Sequence, residues 1–282
     1  MAEWSTFVAA VVFLLVVLLV LSRISATVLN ETMASTESSL SSTAESTEPS
    51  PASTDEPVAD GQAESVTFDE PAVSSSTDQP ATEYDSAGDH PPLSTAALLA
   101  NVVGTQGVFA VSLIALAWYS QIPAWAFGLA ADALSIEAVG LGVLVGVVFY
   151  GLNEAAVQVG RQYGMEPPTT LREALAPESF AGWVVLFVVV LPIIAGFEEL
   201  LFRGALIGVV HAGFEVPLWL LAIGSSVAFG LGHGAQGRLG ILITGALGLG
   251  LAVVFILSGN LVVVIVAHYL INALEFVVHE RG

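Results

Sequence analysis

The sequence predicts an all-α protein, a polytopic transmembrane helix bundle of six core helices with one N-terminal anchor helix and a disordered linker. Three observations predict it. Of the 282 residues 55% are hydrophobic and only 11% charged, mean hydropathy is +0.80, and the apolar residues fall in long runs divided by short polar loops. That composition lies outside the soluble globular range, and a run of about 20 apolar residues is what a bilayer crossing requires.

The first run, Phe7 to Leu21, is closed by Ser22 and Arg23. Glu3 stands where a signal peptide carries a base, and Ile24-Ser25-Ala26 is a poor small-x-small cleavage site, so residues 1–29 read as a retained anchor in preference to a signal segment. Residues 30–92 are Ser, Thr, Pro, Ala and acid. They offer too little apolar surface to offset the entropy of ordering and read as a disordered linker, with a spacer role favoured over a mucin-like stalk. An N-glycosylation tripeptide, Asn30-Glu31-Thr32, falls at its start and is discounted because such tripeptides arise by chance.

Residues 93–282 form the bundle, with expected helices at 95–119, 137–159, 180–211, 216–235, 239–257 and 260–279. Proline at 123, 167, 168, 177 and 217 punctuates the connections. Arg161, Arg172, Arg238 and Arg281 all fall on one face if the helices alternate, and by the positive-inside rule that face is cytoplasmic. The same alternation places the linker and the C-terminus in the cytoplasm and orients the anchor with Arg23 inside, in a multi-pass protein of the cell membrane.

Charge narrows the partners further. The net charge of −20 is mostly a property of the linker, where residues 30–92 hold 14 acids and no base. Such a segment repels nucleic acid and anionic headgroups, so no nucleic-acid role is expected. There is no Cys and no Lys. Disulfides, thiolate metal sites and cysteine nucleophiles are therefore excluded, and the Lys-free acidity matches proteins of high-salt cytoplasms.

Ionisable groups within membrane helices are costly and demand an explanation. The third core helix carries Glu198 and Glu199 near its midpoint, followed by Arg203. Adjacent residues differ by about 100° around a helix, so the two carboxylates cannot share one environment. The i,i+4 spacing gives Glu199 to Arg203 and leaves Glu198 for a proton, although the two roles could be exchanged. A buried salt-bridge cluster that only fixes packing would use the same residues. The fourth helix ends in Phe229-Gly-Leu-Gly-His233, and the sixth holds His268 and Asn272 one turn apart, able to aim two donors or two ligands at one point. Interhelical hydrogen bonding is the simpler reading of each alone. His90, His211 and His279 read as interfacial groups without a role.

Glu-Glu-x-x-x-Arg, Phe-x-x-x-His and His-x-x-x-Asn, in that order on successive apolar helices across about residues 180–279, resemble the CPBP (CAAX protease and bacteriocin-processing, Abi) family of intramembrane endopeptidases, which includes the type II CAAX prenyl endopeptidases. The resemblance implies hydrolysis of a peptide bond. Glu198 and His233 would polarise a water, His268 and Asn272 would stabilise the oxyanion, and Glu199, Arg203 and Phe229 would support the site. It also implies membrane lipid as the surroundings and a peptide or protein substrate, lipidated or membrane-bound. The family is also described as metalloproteases, and Glu198, His233 and His268 are a ligand set that zinc accepts. A Glu-activated water needs no cofactor, and the metal-free mechanism is preferred. A catalytically silent interaction or immunity-type protein is the alternative. A transporter is disfavoured, since no second broken helix pairs with the one at Pro192.

Overall fold

The structure is a computed structural model that describes residues 2–45, 94–164 and 170–279. Residues 1–33 and 93–282 form one compact unit, which holds everything discussed below; 34–92 form another, of which the helical backbone of 34–45 is described. Besides two short 3-10 turns, at Ala124–Phe127 and Gly234–Gln236, the described residues form eight helices and no strand. They are α1 Trp4–Glu45, α2 Thr95–Tyr119, α3 Ile136–Gln162, the short α4 Thr170–Leu175, α5 Phe180–Phe214, α6 Leu218–Gly232, α7 Gly237–Ser258 and α8 Leu261–His279. Six of them, α1 through Ile24 and α2, α3, α5, α7 and α8, are long and apolar enough to cross a membrane. The chain is an integral, multi-pass membrane protein.

Two features differ from the expected boundaries. Helix α1 runs on to Glu45, past the anticipated start of the linker, since extending a formed helix costs much less than nucleating one. The remainder of the expected disordered linker, including His90, lies outside the described residues, as does Arg281. Helix α6 has 15 residues, about 22 Å at 1.5 Å per residue, against a hydrocarbon core of about 30 Å. Pro217 opens it, and Gly232, His233 and Gly234 end it, so His233 caps a helix that stops short.

Serine side chains start α2, α3 and α5: Ser94, Ser135 and Ser179 accept from the backbone N–H of Ala97, Ala138 and Gly182 at 3.1–3.2 Å. Helix α1 seats Phe7 and Val11 in a core shared with Phe127, Phe197, Phe202 and Phe229, and the Ser22 hydroxyl donates to the Gly232 carbonyl at 2.5 Å. The anchor therefore packs beside the helix that ends in His233. Between α2 and α3, Gly128 holds φ +77°, and a Cβ there would sit 2.7 Å from the Phe255 ring. Its carbonyl accepts from Leu261 N–H at 3.0 Å and so ties the connection to the start of α8.

Helix α5 is where local sequence shapes the site. Pro192 lacks an N–H and its ring crowds the carbonyl four residues before it. The helix widens into a π segment over Leu186–Val190, just before the proline. A second π segment, Leu200–Val209, begins directly after Glu199.

Glycines on α3 set how closely α8 approaches. A Cβ on Gly142 would lie 2.7 Å from the Val263 carbonyl oxygen, and one on Gly146 would lie 3.0 Å from that of Ala267, the residue before His268. Gly142→Leu should destabilise the folded protein by about 1–3 kcal/mol, the usual range for overpacking. Gly140→Leu, where a Cβ meets nothing within 4 Å, should be neutral. Thermal unfolding of both variants in detergent checks the seam, and equal midpoints would refute it.

Candidate active site

Glu198 and Glu199 are both buried, at 8% and 0% exposure, yet their partners differ. Arg203 Nη1 donates to Glu199 Oε1 at 2.8 Å, and His268 Nδ1 lies 2.7 Å from the same oxygen. Arg203, itself 1% exposed, also donates through Nη2 to the Gly248 carbonyl at 2.8 Å, and its guanidinium lies 4.7 Å from the centre of the Phe229 ring. Cation, carboxylate, backbone dipole and aromatic face compensate one another where no single charge could be buried alone.

Glu198 faces elsewhere. Its Oε2 lies 3.7 Å from His268 Nε2 and 4.0 Å from His233 Nε2, and it has no hydrogen-bond partner among the described residues. Each imidazole is oriented through its other nitrogen. His268 Nδ1 is held by Glu199, and His233 Nδ1 lies 2.8 Å from the Phe229 carbonyl. Both Nε2 atoms are thereby aimed at Glu198.

Phe229 is the hub of this arrangement. Its ring packs edge-on to Phe202 at 5.0 Å and against His233 and His268 at 4.7 and 5.9 Å. The four-residue step from Phe229 to His233 lets one residue supply both the packing surface and the backbone acceptor for that histidine.

His233, His268 and Asn272 line a cavity of about 290 Å³ together with Phe229, Arg172 and Glu275. Asn272 stands one turn beyond His268 on α8, half-buried, and its amide makes no hydrogen bond among the described residues. The seven residues singled out in the sequence thus come together from α5, α6 and α8. His211 stays apart, exposed, with Nδ1 2.9 Å from the Val216 carbonyl.

Three participants were not foreseen. Gly248 of α7 supplies the carbonyl for Arg203, and a Cβ there would sit 2.9 Å from the Phe229 ring. Ser225 donates to the Phe202 carbonyl at 2.7 Å beside the second π segment. His279, read as a bland interfacial group, lies 3.0 Å from Glu154 and 3.9 Å from Glu275. The small-residue composition of α7 was the only signal for Gly248. Nothing in the sequence pairs residues 154 and 279.

A metal is tested by the same geometry. Imidazoles held through Nδ1 with Nε2 presented are in the orientation metal ligands take. Zinc, however, binds its ligands at about 2.0–2.2 Å, which places them roughly 3.5 Å apart. Glu198, His233 and His268 are spread more widely. Among the described residues, the group whose ligand atoms all lie within 4.8 Å of one another is Glu154, Glu275 and His279. The ring orientations fit a metal and the spacing of the three does not.

Residues 179–274 match the family model of the type II CAAX prenyl endopeptidase, Rce1-like. No curated protein and no solved structure matches the chain. The matched segment opens at the Ser179 cap of α5 and closes two residues beyond Asn272, taking in Glu198, Glu199, Arg203, Phe229, His233, His268 and Asn272. Across those residues the chain is similar to the Rce1-like, type II CAAX prenyl endopeptidase family, a likeness that supports a membrane protease of CAAX-protease-like type.

Proposed function

We propose that the protein cuts its substrate by direct attack of a water held between Glu198 and the two imidazoles. The observation that carries this reading is Glu198 Oε2: buried, without a partner among the described residues, and faced by both Nε2 atoms. A buried carboxylate oxygen left unsatisfied is expensive, and a water donating to it removes that cost. Glu198, with His233 as second contact, takes a proton as the water oxygen bonds to the scissile carbonyl carbon. The negative charge moves to the carbonyl oxygen, where Asn272 Nδ2 and His268 Nε2 donate. For His268 to donate there, both its nitrogens must carry protons, with Glu199 balancing the charge. The proton on Glu198 then passes to the amide nitrogen as the C–N bond breaks.

Several observations support the finer assignments. Ser22 meets Gly232, which puts the end of the first membrane helix on the same side as His233 and is consistent with cytoplasmic Arg23, Arg161, Arg172 and Arg238. Phe149, Leu247 and Gly250 help line an apolar groove of about 390 Å³ between α3 and α7, which shares Asn153, Ile243 and Leu247 with the cavity. A lipid chain on a membrane-bound substrate would fit it.

The test is cleavage of a peptide library by purified protein with and without a chelator. Cleavage should resist chelation, and Asn272→Ala should lower kcat about a hundredfold, the effect of losing one oxyanion donor, with KM little changed. Chelator-sensitive cleavage restored by added zinc would replace the water mechanism with a metal-assisted one.

A further inference from the structure

The anchor helix meets the active site at a polar point. The Ser22 hydroxyl of α1 donates to the Gly232 carbonyl at 2.5 Å, across 210 positions of sequence. Gly232 is the last residue of α6, and the carbonyls of a final helical turn lack partners inside the helix. Three of them are satisfied around His233. Phe229 O faces His233 Nδ1 at 2.8 Å, Gly230 O accepts from the His233 N–H at 3.1 Å, and Gly232 O accepts from Ser22. The N–H of Gln236, four residues past Gly232, is turned to the His233 carbonyl at 2.9 Å. The anchor thus supplies a donor that the backbone beyond α6 gives elsewhere.

The helical repeat puts Ser22 there. Phe7, Val11, Leu15 and Leu18 precede it at helical spacing. The first two are buried in the core that also contains Phe229, and the two leucines pack against that core. Ser22 is the next position of the same stripe, where it reaches the end of α6.

The peptide unit that Ser22 grips is the one that carries His233. The Gly232 carbonyl and the His233 N–H belong to one rigid plane, held at one end by Ser22 and at the other by Gly230. Little else holds it. Beyond its own helix, a Cβ on Gly232 would meet Leu19 Cδ2 at 4.0 Å, again from α1, and one on Gly234 would meet nothing within 4 Å. Glycine on both sides leaves the backbone free to turn, so the direction of the His233 side chain depends on that plane. His233 Nε2 stands 4.0 Å from Glu198 Oε2, and a misplacement of about 1 Å is enough to cost a catalytic group much of its effect.

We propose that Ser22 is a positioning residue for His233, and that the anchor helix, which lies outside the matched segment 179–274, is a working part of the active site. The inference rests on the proteolytic reading. Ser22 acts through the backbone, by fixing the peptide plane from which the imidazole projects.

The experiment compares the full-length protein with Ser22→Ala and Ser22→Thr in detergent. It measures kcat and KM on a cleaved peptide, the unfolding midpoint, and the proton–nitrogen NMR signals of the His233 ring, assigned through their loss in His233→Ala. In Ser22→Ala kcat should fall about three- to tenfold, the net worth of one hydrogen bond, with KM unchanged. The midpoint should hold, since Ala favours a helix interior more than Ser does. The His233 signals should move while those of His268, held by Glu199, stay in place. Ser22→Thr keeps the hydroxyl and should match the parent in kcat and in signals. Unmoved His233 signals in Ser22→Ala refute the proposal. So does a Ser22→Thr protein that behaves like Ser22→Ala, or a kcat that falls only as far as folded protein is lost. Moved signals in a protein that cuts no peptide refute proteolysis and leave the positioning of His233. Unchanged kcat and signals in a protein that does cut leave proteolysis and remove the role of Ser22.

Discussion

Glu198→Gln should lower kcat by about 10⁴-fold, the upper end of what a positioned general base contributes, while the protein folds and accumulates as before. Gln has the same volume and keeps the contacts of the side chain. It cannot accept the proton that a water must lose as it attacks. Because Glu198 is not part of the ion pair that Glu199 makes with Arg203, neutralising it leaves that buried pair intact, and the unfolding midpoint should stay within the range of surface substitutions. Glu199→Gln separates the two carboxylates. Its Oε1 is engaged by both Arg203 and His268, so its loss should disturb stability and the orientation of His268 together. Single-turnover cleavage with unfolding midpoints on both variants decides between them. Substantial cleavage by Glu198→Gln would falsify the assignment of the base.

Arg203→Ala should destabilise the protein by about 3–5 kcal/mol, the cost of leaving the other half of a buried pair uncompensated. The loss is larger than one hydrogen bond because the guanidinium serves Glu199, the Gly248 carbonyl and the Phe229 ring at once. Removing charge from both sides, as Arg203→Met with Glu199→Gln, should restore much of the stability, since paired replacement of a buried ion pair by groups of similar volume is often neutral or better. It should not restore cleavage, because His268 would lose the carboxylate that orients its Nδ1. Detergent unfolding and steady-state abundance measure the first effect, and activity per folded molecule the second. An Arg203→Ala protein as stable as the parent would show that Glu199 finds its compensation elsewhere.

The motif residues were legible because each motif is local. Glu199 and Arg203, Phe229 and His233, and His268 and Asn272 are each one turn apart on a single helix, so helical geometry alone places each pair on one face. The 3.9 Å approach of His279 to Glu275 is local too, at i,i+4, yet it gave no signal because a polar pair near a helix end is ordinary. Gly248 and Glu154 were illegible for a different reason. Their partners, Arg203 and His279, lie 45 and 125 residues away in sequence, on helices whose facing sides no periodicity specifies in a bundle that is apolar all round.

Hydropathy and helical spacing by themselves determined the all-α membrane class and the core helices to within a few residues, and favoured Glu199 over Glu198 as the partner of Arg203 while leaving the two exchangeable. Tertiary structure alone decided that α6 stops at 15 residues with His233 as its cap, that α5 widens into π turns on both sides of the Glu pair, and that Glu199 reaches across to His268. The physical reason is one of range. Burial preference and the helical repeat act between near neighbours in sequence, whereas aiming two imidazoles at one carboxylate depends on how glycine seams and aromatic packing set the approach of α5, α6 and α8.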